Sequence, residues 1–394
     1  MSQSWTTTPI TTEILRGVLE LERGAHGVVP HRLPAWARAQ CADPQLHLAE
    51  GQPAGARIAV RTSATAVELD VLPTRYGFRG APPRPLGVFD LLVDGVLVAQ
   101  GVAPTATTVT IDMATGVPEH VPGAVGIVRF AGLPAGEKDV ELWLPHNEAV
   151  ELVALRSDAP VGPKPDGGWP VWLHHGSSIS HGSNAEHPTG TWPALVARSA
   201  GLDLVNLGLS GSALLDPFVA RTMRETPADL LSVKLGINIV GSDLMRRRAL
   251  GPAVHGLLDT LREGHPTAPL LVVSPLFTPI HEDTPGPSTF DLEALAAGRT
   301  AFHATGDPAE VAAGKLTLAV VREELAGIVA QRAVTDPHLY YLDGTELYGA
   351  DDYAELPLPD ELHPDGATHR RIAERFSARV LGGGGPFGGQ APAA

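Results

Sequence analysis

The chain reads as two domains of different class, an all-β sandwich over residues 1–160 followed by an α/β domain over residues 170–381. Three observations predict this. The 394 residues exceed the usual size of one domain. Up to about residue 160, short runs with period-two alternation recur between Gly and Pro. From Trp169 onward, apolar runs alternate with segments of helix length, the pattern of a parallel sheet with helices on both faces.

In the first part, Arg57–Thr62 and Ala66–Val71 alternate in side-chain character. Asp94-Gly95 stands between the apolar runs Phe89–Val93 and Val96–Ala99, a dipeptide suited to a tight hairpin because both turn positions need positive φ. Val109–Asp112, Ile127–Phe130 and Val140–Leu144 continue the series. Short strands at this spacing predict a sandwich or jelly roll. Residues 161–169, within a Pro/Gly-rich stretch, read as a linker.

In the second part, the strand candidates are Val171–His175, Leu202–Leu207, Leu230–Leu235, Leu270–Leu276 and Leu339–Leu342. The helical segments are Trp192–Ser199, Asp243–Glu263, Lys315–Arg332 and Ala367–Leu381. Thr278–Gly314 is Pro/Gly/Asp-rich and fits either a disordered surface loop or a lid or pocket wall. Residues 382–394 read as a disordered tail. Arg246-Arg247-Arg248 reads as a solvated helix face rather than a phosphate site.

The net charge of −15 argues against nucleic acid and against an anionic membrane surface as partners. Cys41 stands alone, which excludes an internal disulfide, and it reads as an ordinary thiol. Met1–Ile10 is polar, without the apolar core of an export signal, and no run is long and apolar enough to span a bilayer. The expected location is the cytoplasm. Nothing in the pattern specifies an oligomeric state.

Residues suited to chemistry follow the strand candidates. In such sheets, sites form beyond the carboxyl ends of the strands. Ser178 follows the first strand in Gly176-Ser177-Ser178-Ile179-Ser180-His181-Gly182. Gly211 follows the second, where a glycine lets a backbone N–H approach a ligand closely. Asn238 follows the third, where its amide can donate to an oxyanion. Asp360 and His363 lie three residues apart before the last helix, so the carboxylate can fold back onto His363 Nδ1–H and leave Nε2 for the Ser178 proton. Each has a plain alternative: Gly211 as a turn residue, Asn238 as a cap, Asp360 as an exposed helix cap. Their joint occurrence at matching strand ends favours a serine nucleophile with a base, its orienting acid and an oxyanion hole of Ser178, Gly211 and Asn238. Trp192 reads as packing or as a pocket wall, and His281 and Glu282 as weak candidates for substrate contact. His174, His175 and His181 cluster in sequence, but adjacent strand residues point to opposite faces, so no metal site is expected.

These four segments resemble, in order, the four blocks of the SGNH (GDSL) hydrolase superfamily. Gly-Asp-Ser-Leu appears as Gly176-Ser177-Ser178-Ile179, the second block's glycine as Gly211, Gly-x-Asn-Asp as Gly236-Ile237-Asn238-Ile239, and Asp-x-x-His-Pro as Asp360–Pro364. The resemblance implies a flavodoxin-like three-layer domain, Ser178 as nucleophile, His363 as base and Asp360 as its partner. Ser177 and Ile239 depart from the family's Asp residues, which puts the loop bracing in question. The first part resembles the carbohydrate-binding-module-like sandwich attached to some of these enzymes. The whole chain is also similar to GDSL-type acyltransferases that tailor a tetracycline-type aromatic polyketide.

An acyl-Ser178 can pass its acyl group to water or to an alcohol. Acyl-CoA donors are cytosolic, so the expected reaction is O-acyl transfer from acyl-CoA, a co-substrate rather than a bound cofactor, to a hydroxylated natural product. The β domain is expected to supply one wall of the acceptor pocket. An esterase acting on carbohydrate or small-molecule esters is the alternative. A non-catalytic carbohydrate-binding protein is the third reading, disfavoured by the intact Ser178, Asp360 and His363.

Overall fold

The computed structural model describes residues 5–112 and 115–388, which fall into two compact units. The first takes the residues up to Ala35, Glu50–Trp169 and Glu186–Gly190. The second takes Trp36–Ala49, Pro170–Ala185 and the residues from Thr191 onward.

Among the described residues, the first unit holds an eight-stranded and a six-stranded sheet. Both are largely antiparallel. Their inward side chains meet in one core, with Val67, Leu69, Val71, Phe130 and Leu152 from one sheet and Ile58, Val60, Phe89, Leu91 and Leu142 from the other. Asp94 (φ 49°) and Gly95 (φ 80°) form the two-residue turn between Val88–Val93 and Val96–Val102, as their sequence predicts. Val161–Pro163 pairs with Arg57–Thr62, so the start of the expected linker is a strand.

The second unit carries a five-stranded, all-parallel sheet in the order Asp203–Gly208, Val171–Gly176, Leu230–Lys234, Leu270–Val273, Leu339–Leu342. The first strand in sequence is second in space, so the chain steps to one side and then winds back across, the doubly wound pattern. All residues of the two central strands Leu230–Lys234 and Leu270–Val273 are buried, as strands covered on both faces require. Helices Trp192–Ala200 and Gly366–Phe376 pack together on one face, where Trp172, Trp192 and Phe376 stack. Helices Pro217–Glu225, Arg247–Gly264 and Leu318–Ala333 form the other group. Arg247 pairs with Glu323 and Glu324, a solvated contact between two of these helices.

Other expectations also differ from the structure. Trp36–Ala49 belongs with the second unit because Gln45 Nε2 donates to Ser210 O (2.8 Å) and the Arg221 guanidinium lies over the Trp36 ring (5.1 Å). Of the two readings of Thr278–Gly314, the disordered loop is the one that fails: Ser288–Phe290 pairs with Phe302–Ala304 around the helix Leu292–Ala296, which Asp291 caps through Glu293 N–H and Ala294 N–H. The tail expected to be disordered continues as turns to Gly388, with Phe387 fully buried and its N–H donating to Val380 O (2.8 Å); residues 389–394 lie outside the described residues.

Burial of Phe387 makes the tail part of the second unit's stability. Phe387→Ala should cost about 3–5 kcal/mol by analogy with other fully buried aromatic side chains. Urea denaturation measures it, and an unchanged midpoint with an unchanged slope would show the ring to be dispensable.

Candidate active site

Val171–Gly176 lies between Asp203–Gly208 and Leu230–Lys234, with Gly176 level with Gly208 and His175 level with Val233. The segments leaving these three strands therefore start at one sheet edge. Ser178 opens the short helix Ser178–His181. Ser177 caps it, its Oγ accepting from Ile179 N–H (3.4 Å), and Gly182 ends it at φ 113°. Ser177 stands where the family has Asp, and its hydroxyl supplies the cap acceptor. The helix sits so close to the second strand that a Cβ on Gly208 would come within 2.4 Å of His181 N. Glycine is required there by contact alone.

Asp360 and His363 meet on a tight turn. Asp360 Oδ1 accepts from the backbone N–H groups of Leu362 (3.0 Å) and His363 (2.6 Å). Asp360 Oδ2 lies 2.8 Å from His363 Nδ1, and Asn184 Nδ2 donates to it at 3.2 Å. His363 Nε2 lies 2.9 Å from Ser178 Oγ. Ser178 and Asp360 are both buried. Burial pushes the Asp360 carboxyl up, but the hydrogen bond and charge of His363 and the two backbone donors outweigh it and hold it below the usual range. A carboxylate so held fixes Nδ1 as the protonated nitrogen and leaves Nε2 to accept from the serine. The turn needs Glu361 in the left-handed region (φ 67°), and Tyr353 OH donates to Glu361 Oε2 (2.6 Å).

The three expected oxyanion donors begin at adjacent strand ends. Ser178 is the first helical residue, so its N–H has no intrahelical acceptor. Gly211 is exposed at φ 72°. Asn238 Oδ1 accepts from Ala213 N–H (3.2 Å), which leaves its NH2 as the group to donate. Among the described residues, none of these three donors is spent on a protein acceptor.

The weaker candidates sit elsewhere. Trp192 is fully buried among Trp172, His174 and Phe376, so it is core rather than pocket wall. His281 is fully buried, its Nδ1–H donating to Thr284 O (3.1 Å), and burial pushes its pKa down. Both Glu282 oxygens are taken by the Arg322 guanidinium, at 2.7 Å for the Nη1 bond. Glu282 thus presents no free oxygen, and the unpartnered nitrogen of His281, Nε2, is buried. His174 Nδ1 meets Ser232 Oγ (2.7 Å) and Nε2 meets Ser180 Oγ (2.8 Å), while His175 and His181 bond backbone carbonyls of the second strand.

Sequence reasoning passed over Asn184, Tyr353, Phe302 and His369. The Phe302 ring lies 5.7 Å from the His363 ring at 77°, and Phe302 N–H donates to Asp360 O (3.0 Å). His369 is fully buried, with Nδ1 accepting from Trp192 N–H (3.3 Å) and Nε2–H donating to Ser183 O (3.1 Å). The left-handed Asn184 (φ 63°) carries one readable signal, since Asn is a residue that tolerates this conformation.

Residues 171–279 match the GDSL-like Lipase/Acylhydrolase family. No curated protein sequence matches the chain. Among solved structures, the chain is similar to SsfX3, a salicylyl-acyltransferase from a tetracycline biosynthetic pathway, at 26% identity over 95% of this chain and 96% of that one, with a TM-score of 0.75. A family two carbohydrate esterase from Cellvibrio japonicus is 11% identical over 95% and 96%, with a TM-score of 0.55. One from Clostridium thermocellum is 14% identical over 82% and 91%, with a TM-score of 0.53. The two esterases bear on the fold alone.

Two predictions follow from the turn and its support. His369 is pushed down to about 4, first by burial and then by the charge of His363, against the raising effects of its bond to Ser183 O and of Asp365. The unfolded chain takes up this proton near 6.5, so stability should fall as pH drops from about 6.5 to about 4, by about 3 kcal/mol, and level off below. His369→Gln should flatten that slope in urea melts across pH; an equal slope in both proteins would remove His369 as its source. Tyr353→Phe should lower kcat with little change in KM, and adding Glu361→Gly, which accepts φ 67° without strain, should recover part of the loss. A kcat equal to that of the parent would show that the tether does not position the turn.

Proposed function

Because its α/β domain belongs to the SGNH (GDSL) hydrolase superfamily, we propose that this enzyme transfers acyl groups through an ester on Ser178 Oγ. The observation that carries the proposal is the chain of contacts from Ser178 Oγ to His363 Nε2 (2.9 Å) and from His363 Nδ1 to Asp360 Oδ2 (2.8 Å). His363 Nε2 takes the serine proton as Oγ adds to the acyl carbonyl, and Asp360 stays ionised while it steadies the imidazolium. The oxyanion is bound by Ser178 N–H, Gly211 N–H and the Asn238 amide. Its collapse expels the leaving group, which takes the proton from His363. A second nucleophile gives its proton to His363 and attacks the acyl-serine, restoring Ser178.

The acyl donor in this reading is an acyl-CoA, whose thiol is the first leaving group, and the acceptor is a hydroxyl of a polyketide-type natural product. The similarity to the salicylyl-acyltransferase, at 26% identity and a TM-score of 0.75 against 11% and 0.55 for the Cellvibrio esterase over the same coverage, supports transfer over hydrolysis. No helix among the described residues is long and apolar enough to cross a membrane.

A fluorophosphonate should label the protein covalently and Ser178→Ala should not; labelling that persists removes Ser178 from the role. Incubation with acetyl-CoA or benzoyl-CoA and a panel of phenols and polycyclic alcohols should give ester faster than free acid. Free acid alone across the panel would make the enzyme an esterase. Asn238→Ala should lower kcat about 10²–10³-fold, the usual effect of removing one oxyanion donor.

A further inference from the structure

The hairpin of Ser288–Phe290 and Phe302–Ala304 does more than connect the fourth strand to the helix Leu318–Ala333. It is tied to the triad itself, since Phe302 N–H donates to the carbonyl of Asp360 (3.0 Å). It is also anchored at its base, where Ser288 Oγ donates to Gly241 O (3.1 Å) and Thr305 N–H to Pro287 O (2.8 Å). The Phe302 ring stands 5.7 Å from the His363 ring, and Phe290 packs on Phe302 at 4.9 Å. Both rings are only half-buried, and Leu292 at the start of the connecting helix is 74% exposed. The hairpin thus holds one partly open aromatic ring beside the imidazole that handles the proton, with a second ring packed on the first.

From this geometry we infer that Phe302, backed by Phe290, is a specificity-determining wall that selects aryl groups on the alcohol side of the reaction. The inference rests on the acyl-serine reading of the site. The oxygen of the attacking or leaving alcohol must come within hydrogen-bond reach of His363 Nε2. An aryl group on that oxygen extends several ångströms further and meets the ring beside the imidazole. Edge-to-face or offset contact with Phe302 then holds the alcohol. A short alkyl group does not reach the ring. Because the attacking and leaving alcohols use the same position in forward and reverse transfer, the wall reads the alcohol of an ester substrate as well as an acceptor.

Hydrolysis therefore tests the inference without any transfer being required. The ratio of kcat/KM for 1-naphthyl acetate to that for ethyl acetate should fall about three- to tenfold in Phe302→Ala and in Phe302→Leu, the size expected for one lost aromatic pair. It should be retained in Phe302→Tyr. The loss should appear mainly in KM for the naphthyl ester. An unchanged ratio, or an equal fall for both esters, overturns the inference. Phe290→Leu, which leaves Phe302 and its backbone bond to Asp360 in place, should give a smaller fall in the same direction should the Phe302 variants fail to fold; an unchanged ratio there also counts against the wall. Ser178→Ala run in parallel separates the two readings. Activity surviving in that variant sinks the acyl-serine site, whereas an inactive Ser178→Ala with an unaltered ratio in the Phe302 variants sinks the wall alone.

Discussion

The site depends on how the Asp360 carboxylate is held. It receives four donors, two backbone N–H groups on Oδ1 and the His363 ring and the Asn184 amide on Oδ2. A buried carboxylate without such partners would take up a proton and release the imidazole. Here the same bonds that keep it charged also shape the turn. They draw Leu362 N–H and His363 N–H inward and leave Glu361 to absorb the reversal at φ 67°. A non-glycine residue in that region costs about 1–3 kcal/mol, which the four bonds and the Tyr353 hydroxyl offset. Charge, strain and position at His363 are thus set by one group.

The nucleophile's half of the site rests on a different kind of constraint, close packing around a small polar core. Trp172 Nε1–H donates to Ser232 Oγ (2.8 Å), and His174 bridges that hydroxyl to Ser180 on the nucleophile's helix. Burial, with the charges of His175 and Lys234, holds His174 well below its usual value, so it stays neutral and hydrogen-bonded. Burial likewise pushes Lys234 down to about 7 at the end of the third strand. The helix Ser178–His181 is too short to be stable alone. It is fixed by this network from below and by the bare backbones of Gly176 and Gly208, which admit it at contact distance.

The legible parts of the fold were those written in periodicity. A strand buried on both faces can read as a continuous apolar run, as Leu270–Val273 does, whereas Leu230–Lys234 carries Ser232 and Lys234 among its apolar residues. Asp94-Gly95 announced its hairpin because few dipeptides accept two positive φ angles. Ser178 was legible at a strand end, and Asp360 and His363 through a three-residue spacing that has a chemical reason. Other parts are held by single tertiary contacts, which leave no period. Trp36–Ala49 is claimed by Gln45 and Trp36, and Glu186–Gly190 by Asp90, which accepts from His187 Nδ1–H, Thr189 N–H and Thr189 Oγ1–H. The hairpin carrying Phe302 has strands of three residues, too short for alternation to register. His281 and Glu282 show the converse error, since residues near a site in sequence were already committed to the core or to Arg322, while Trp192 is the packing residue that its simpler reading gave.

The triad activates water and an alcohol by the same proton transfer, so its geometry alone does not choose between them. The choice is a competition of encounter. A hydroxyl held in line with an acyl group can reach effective molarities of about 10⁵–10⁸ M, far above the concentration of bulk water. An acceptor therefore needs only a fraction of ideal positioning to outrun hydrolysis, and a few ångströms of apolar contact beside the proton acceptor can provide it. The residues that decide the product are then those that touch what lies beyond His363 Nε2. In this chain Phe302 stands 5.7 Å from the His363 ring and is tied to the triad by its own backbone. The hairpin that bears it lies outside the four family segments, so chemistry and selectivity can vary separately in this fold.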